Sequence, residues 1–116
     1  MSESIERALR KVSEIHKVMS NPRRLEILYV LRGGAKTVGE LSAATGFKQA
    51  NVSQHLALMR HRGVVVENRK GNLVFYRIRD RRITTACDIM RDVLSGQANE
   101  DSKLGRLTKR DLTIRP

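Results

Sequence analysis

The chain has one cysteine, no tryptophan, two prolines, two tyrosines and two phenylalanines in 116 residues. Each scarcity removes a class of protein. A lone thiol, Cys87, can form neither an intrachain disulfide nor a multi-cysteine zinc site. Aromatics at 3% leave too few rings for the stacking platforms that hold single-stranded nucleic acid. So few prolines, with eight glycines and no repeat, exclude collagen-like and proline-rich chains. No apolar run approaches the roughly 18 residues that a membrane helix needs, so no membrane partner is expected. Near the start, Glu3, Glu6 and Glu14 sit among basic side chains on a helical pattern, unlike a signal peptide. A reducing cytoplasm is the expected compartment.

Acidic residues are scarce as well. There are 12 against 23 Lys and Arg, a formal charge of +11. A small, strongly basic domain suits a polyanionic partner, either nucleic acid or an acidic surface. Hydrophobic residues at 40% are enough for a core. A core of this size is marginal alone, so burial between two subunits would help.

Periodicity orders the chain. Ile5, Leu9, Val12, His16 and Met19 fall on one stripe of a helix over 5–19. Asn21 as N-cap and Pro22 at the first helical position open a second helix over 22–32, with Leu25, Leu28 and Leu31 expected inward and Gly33-Gly34 ending it. Thr37-Val38-Gly39-Glu40 has the form of a capping box and starts a third helix over 37–45, stopped at Gly46. A fourth helix spans 49–62. Helix, short glycine turn and helix make the spacing of a helix-turn-helix. A β-hairpin over 64–79 follows, turning at Arg69-Lys70-Gly71-Asn72, where Gly71 and Asn72 both tolerate positive φ. A last helix over 81–95 carries Ile83, Cys87, Met90 and Leu94 on one stripe. Met19, Met59 and Met90 read as core residues. The fold class is mostly α with a small hairpin (α+β), in one domain over 1–95. Residues 96–116, with five basic and three acidic side chains, read as a mobile polar tail with local helix near 104–112.

The fourth helix carries the chemistry. Advancing about 100° per residue from Val52 places Leu56 and Met59 beside it, facing the core. Ala50, Ser53, Gln54, Ala57 and His61 fall together on the opposite side. This face is small and hydrogen-bonding rather than charged. It suits a helix in the major groove, where short side chains admit the backbone, Gln bonds base edges and Ala meets a thymine methyl. The face alone is equally compatible with a plain polar surface helix. The neighbouring segment shifts the balance. Residues 60–82 hold Arg60, Arg62, Arg69, Lys70, Arg77, Arg79, Arg81 and Arg82 against Glu67 and Asp80. Clustered like charge is costly unless an anion such as a phosphate array neutralises it. Thr37 and Lys48 sit at helix starts, where free N–H groups can hold backbone phosphates.

Five stretches then resemble one family: Met19-Ser20-Asn21-Pro22-Arg23-Arg24-Leu25-Glu26-Ile27-Leu28, Val38-Gly39-Glu40-Leu41, Asn51-Val52-Ser53-Gln54-His55-Leu56, Arg62-Gly63-Val64-Val65, and Gly71-Asn72-Leu73-Val74-Phe75-Tyr76-Arg77-Ile78. Together they resemble the ArsR/SmtB repressors across residues 12–95. The resemblance implies a winged helix-turn-helix homodimer, paired through its first and last helices, that binds inverted-repeat operators in duplex DNA and is released by a small effector. It implies a recognition helix over 49–62 with Gln49, Ala50, Asn51, Ser53 and Gln54 toward the groove. The wing spans 64–79, with Arg69, Lys70 and Asn72 at its tip. The interface residues implied are Ile5, Leu9, Val12 and His16 with Ile83, Cys87, Met90 and Leu94. His55 matches the family's histidine, but its helical position favours packing or hydrogen bonding over base contact.

The family's sensory residues are missing. Metal-sensing members have a Cys-x-Cys near the third helix, where this chain has Glu40-Leu41-Ser42-Ala43. The last helix has no histidine, so no metal site is expected. The sulfur- and redox-responsive branch is nearest, yet Tyr29 stands near its first cysteine position and Cys87 precedes the second. Cys87 reads first as a small buried hydrophobe. The alternative is a redox or sulfur-sensing thiol whose pKa Arg81, Arg82 and Arg91 would lower. No P-loop, dinucleotide fingerprint or triad is apparent, so neither an enzyme nor a cofactor is expected. A general nucleic-acid-binding module and a protein-interaction module remain as rival classes. Salt-dependent binding to duplex rather than single strands separates them from the regulator.

Overall fold

The computed structural model describes residues 2–96. It contains two compact units, one ending at Asp80 and the other beginning at Arg81. The first unit holds α1 (Glu3–Met19), α2 (Pro22–Leu31), α3 (Val38–Thr45), α4 (Gln49–His61), β1 (Val65–Lys70) and β2 (Leu73–Ile78); the second holds α5 (Arg81–Ser95). Five helices and an antiparallel hairpin match the expected α+β class, with boundaries within about two residues. The polar segment 97–116, including the helix expected near 104–112, lies outside the described residues.

Local chemistry sets the helix ends. Asn21 Oδ1 accepts from the backbone N–H groups of Arg23 and Arg24 at 3.0 and 3.2 Å, with Pro22 at the first position. Both halves of the capping box form. Glu40 N–H donates to Thr37 Oγ1 at 3.1 Å, and Thr37 N–H donates to the Glu40 carboxylate at 3.0 Å. The bond from the Thr37 N–H, above all, holds the Glu40 carboxyl below its ordinary pKa. Gly46 takes a left-handed φ of 78° and closes α3. The turn that follows is braced where Ser42 Oγ donates to Phe47 O and Thr45 Oγ1 accepts from Phe47 N–H.

The core of this unit is Ile27, Leu28, Leu31, Leu41, Val52, Leu56, Met59, Val64 and Val65, each 3% exposed or less. Burying each large apolar side chain contributes about 1.5–3 kcal/mol. Leu25, expected inward, is exposed. Steps of three drift by about 60° around a helix, so 25, 28 and 31 do not share one face; Ile27 takes the inward place. The hairpin pairs Val65 with Ile78 through to Lys70 with Leu73. Gly71 alone turns the corner at a φ of 62°. Of the two residues that tolerate positive φ, only Gly71 uses it, because a two-residue loop led by glycine needs only one. Reciprocal backbone bonds from Lys36 to Tyr76, at 2.8 and 2.9 Å, tie β2 to the segment before α3.

α1 buries only Val18. Its stripe of Ile5, Leu9 and Val12 remains about half exposed, and His16 is exposed rather than core. In α5, described by itself, the buried positions are Thr84, Asp88 and Asp92, at four-residue spacing. Ile83 and Cys87 are half-buried, whereas Met90 and Leu94 are 60% and 81% exposed. Met90 is therefore not a core residue. Periodicity shows that a helix has two faces but does not say which one turns inward.

Candidate nucleic-acid interface

α4 presents its predicted outer face. Val52, Leu56 and Met59 are fully buried, while Gln49, Ala50, Ser53, Gln54, Ala57 and His61 are exposed. None of the described intramolecular hydrogen bonds uses the side chain of Gln49, Ser53 or Gln54, so their donors and acceptors face outward. Lys48 precedes the helix as N-cap with no side-chain cap bond, and Thr37 caps α3 through its hydroxyl.

Two predicted contacts are differently placed. Asn51 Oδ1 accepts from Arg23 Nη1 at 3.0 Å, so Asn51 is tied to α2 through its carbonyl. Arg60 pairs with Glu67 of β1 at 3.3 Å and is a link between α4 and the wing rather than a free cation. Burial, then the facing Glu67 carboxylate, pushes the Tyr76 hydroxyl above its ordinary pKa. Arg62 likewise pairs with Glu14 of α1 at 3.2 Å. Arg69, Lys70 and Asn72 are exposed at the wing tip, with Lys70 Nζ 5.8 Å from the Phe75 ring centroid.

His55 behaves as its helical position suggested. Its Nδ1 accepts from Arg24 Nε at 3.1 Å, and Arg24 Nη1 also donates to Val18 O at 2.9 Å. Partial burial, then the charges of Arg24 and Arg23, hold the imidazole below its ordinary pKa. An imidazole nitrogen that accepts a hydrogen bond is unprotonated.

These elements are a helix-turn-helix with an exposed, uncharged face on its second helix and a wing whose tip is basic. A family model for bacterial regulatory proteins of the arsR family matches residues 21–66. The transcriptional activator HlyU of Vibrio cholerae is 32% identical over 98 residues, covering 84% of this chain and 90% of the relative. The chain belongs to the ArsR family. Its fold is similar to the homodimeric winged helix-turn-helix DNA-binding domain of a Mycobacterium bovis protein, with a TM-score of 0.74 and 26% identity over 86% of this chain and 93% of that one. It is also similar to the transcriptional repressor BigR of Xylella fastidiosa, with a TM-score of 0.69 and 29% identity over 80% and 96% of the two chains. This ArsR protein is a DNA-binding transcriptional regulator and not an enzyme.

Sequence reasoning missed the part that α2 plays in this ArsR interface. Arg23 reaches the start of α4, and its guanidinium lies 4.7 Å from the Phe47 ring centroid. Asn21-Pro22 marks where α2 begins, but nothing local shows that its first turn meets residue 51.

The thiol expectation also changes. Burial, then Asp88, raises the Cys87 pKa. The lowering expected from Arg81, Arg82 and Arg91 does not prevail, because burial disfavours the thiolate first, the adjacent Asp88 carboxylate adds to it, and Arg91 is 3.8 Å from that carboxylate. Among the described residues no three His, Cys, Asp or Glu side chains come together, and no helix is long and apolar enough to cross a membrane.

Proposed function

We propose that this regulator acts as a homodimeric repressor on an inverted-repeat operator, with one α4 entering the major groove at each half-site. The observation that carries the reading is the face formed by Gln49, Ala50, Ser53, Gln54 and Ala57. It is wholly exposed, uncharged and backed by a buried stripe. A merely solvated helix would favour Lys and Glu there. Gln54 and Gln49 read base edges, and Ala50 and Ala57 allow close approach. Thr37 and Lys48 hold phosphates, and Arg69, Lys70 and Asn72 follow the flanking backbone or minor groove. Residues 1–95 serve DNA binding and dimerisation, with the exposed stripes of α1 and α5 as pairing surfaces and 96–116 as an appended tail. The work is done in the cytoplasm. The similarity to both an activator and a repressor leaves two directions of regulation, and repression by occlusion of a promoter is the one proposed here.

Selection of bound sequences from genomic fragments tests the reading, repeated with metals, sulfide and oxidant. A palindromic consensus is expected. Gln54→Ala should flatten the preference at one position of each half-site, removing about 1–3 kcal/mol of discrimination. Arg69→Ala or Lys70→Ala should weaken binding to all sequences and reduce the salt slope by about one for each phosphate that is no longer neutralised. Enrichment of no duplex sequence would defeat the proposal. An unaltered consensus with Gln54→Ala would remove that residue from the reading face.

A further inference from the structure

We propose that Arg23, from the first turn of α2, is a DNA-backbone contact residue held ready by Asn51 and Phe47. The inference rests on the proposed docking of α4 and adds a clamp supplied by a helix other than the recognition helix. Three observations meet at one place. Arg23 Nη1 donates to the neutral Asn51 carbonyl at 3.0 Å. The guanidinium carbon lies 4.7 Å from the Phe47 ring centroid. An open groove of about 310 Å³ is lined by Arg23, Gly46, Phe47, Lys48 and Asn51.

No carboxylate lines this groove. Among the described residues neither Arg23 nor Lys48 makes an ion pair, whereas Arg10, Arg60, Arg62 and Arg91 each lie against an acid. A guanidinium has five N–H donors, and one is engaged here by a neutral acceptor. The contact with the ring and the single hydrogen bond fix its orientation without cancelling its charge. Little rotamer freedom then disappears when an anion binds. The groove opens where α4 begins, beside exposed Gln49 and Ala50. A helix lying in the major groove has the phosphates of the flanking strand at that end. The occupant that fits is therefore a phosphodiester of the duplex. This also accounts for Asn51, which braces Arg23 rather than reading a base.

The test uses the full chain and its selected operator, with each phosphate neutralised in turn as a methylphosphonate. Arg23→Ala should weaken operator binding about ten-fold at moderate salt and lower the salt slope by about one per half-site. One phosphate per half-site should matter to the wild type and be indifferent to Arg23→Ala. Arg23→Gln, which keeps a donor for Asn51, should lower the slope equally; it stands in if Arg23→Ala fails to fold. Asn51→Ala should keep both slope and base consensus while weakening binding a few-fold. An unchanged slope in both Arg23 variants, no phosphate that distinguishes them from wild type, or a changed consensus with Asn51→Ala would overturn the assignment. Wild-type protein that binds no duplex would instead defeat the proposed function beneath it.

Discussion

Arg24 reaches from the first turn of α2 to two places at once. Its Nη1 holds the Val18 carbonyl near the end of α1, and its Nε donates to His55 Nδ1 on α4. Three helices are thereby joined through one guanidinium, and the joint works only while His55 is unprotonated. The folded chain holds His55 below its ordinary value of 6.5, first through burial and then through Arg24 and Arg23. The unfolded chain does not. Between the ordinary value and the depressed one, the unfolded state binds a proton that the native state refuses, so stability falls as pH falls through that window and is fully present above it. Thermal midpoints measured from pH 7.5 downward should drop more steeply for wild type than for His55→Gln, which retains an acceptor and does not titrate. Parallel curves for the two proteins would show that the joint is not what titrates. Arg24→Ala should cost about 1–3 kcal/mol at neutral pH, because the partly buried Val18 carbonyl and His55 nitrogen lose their donor.

The elements differ in how much of themselves they show in sequence. The wing depends on one backbone conformation. Gly71 turns at a φ of 62° with open space around it, so an added Cβ would meet only the backbone penalty of the left-handed region, about 1–2 kcal/mol. Gly71→Ala should loosen the hairpin, seen as faster amide exchange at Asn68 and Phe75, a pair whose N–H groups face the partner strand. It should weaken DNA binding without moving the base consensus, because the reading face is on another element. A shifted consensus would mean that the wing reads bases. Much of this architecture is legible in the sequence because its signals are local. Asn21-Pro22, the Thr37–Glu40 box and the buried Val52, Leu56 and Met59 stripe are decided within one or two turns of chain. What is not legible depends on partners distant in sequence. Arg60 and Arg62 count as free charge until Glu67 and Glu14 are found beside them. Asn51 looks unengaged until Arg23 is found on its carbonyl. Leu25 and Met90 carry apolar side chains to faces that periodicity alone does not orient.

For the whole molecule, the question is what becomes of the apolar surface that the chain leaves in water. Ile5, Leu9 and Val12 are each about half exposed along one side of α1, a contiguous stripe of the kind that monomers rarely leave uncovered. A two-fold axis would set this stripe against its own copy, so one substitution acts on both sides of the interface. Leu9→Glu replaces an apolar contact with a carboxylate and brings it toward its symmetry mate, adding repulsion to desolvation. Leu9 is about half exposed and is not one of the buried core residues, so the helical content should be preserved. Sedimentation should show the variant as a monomer where the wild type is a dimer. Operator affinity should fall by about 10²-fold or more, because two half-sites are then no longer engaged through one linked body. Binding to a single half-site should change little, since Gln49, Ser53, Gln54 and the wing are untouched. That difference between whole operator and half-site separates failed pairing from failed folding. A Leu9→Glu protein that still sediments as a dimer and holds the whole operator at wild-type affinity would place the pairing surface elsewhere than α1.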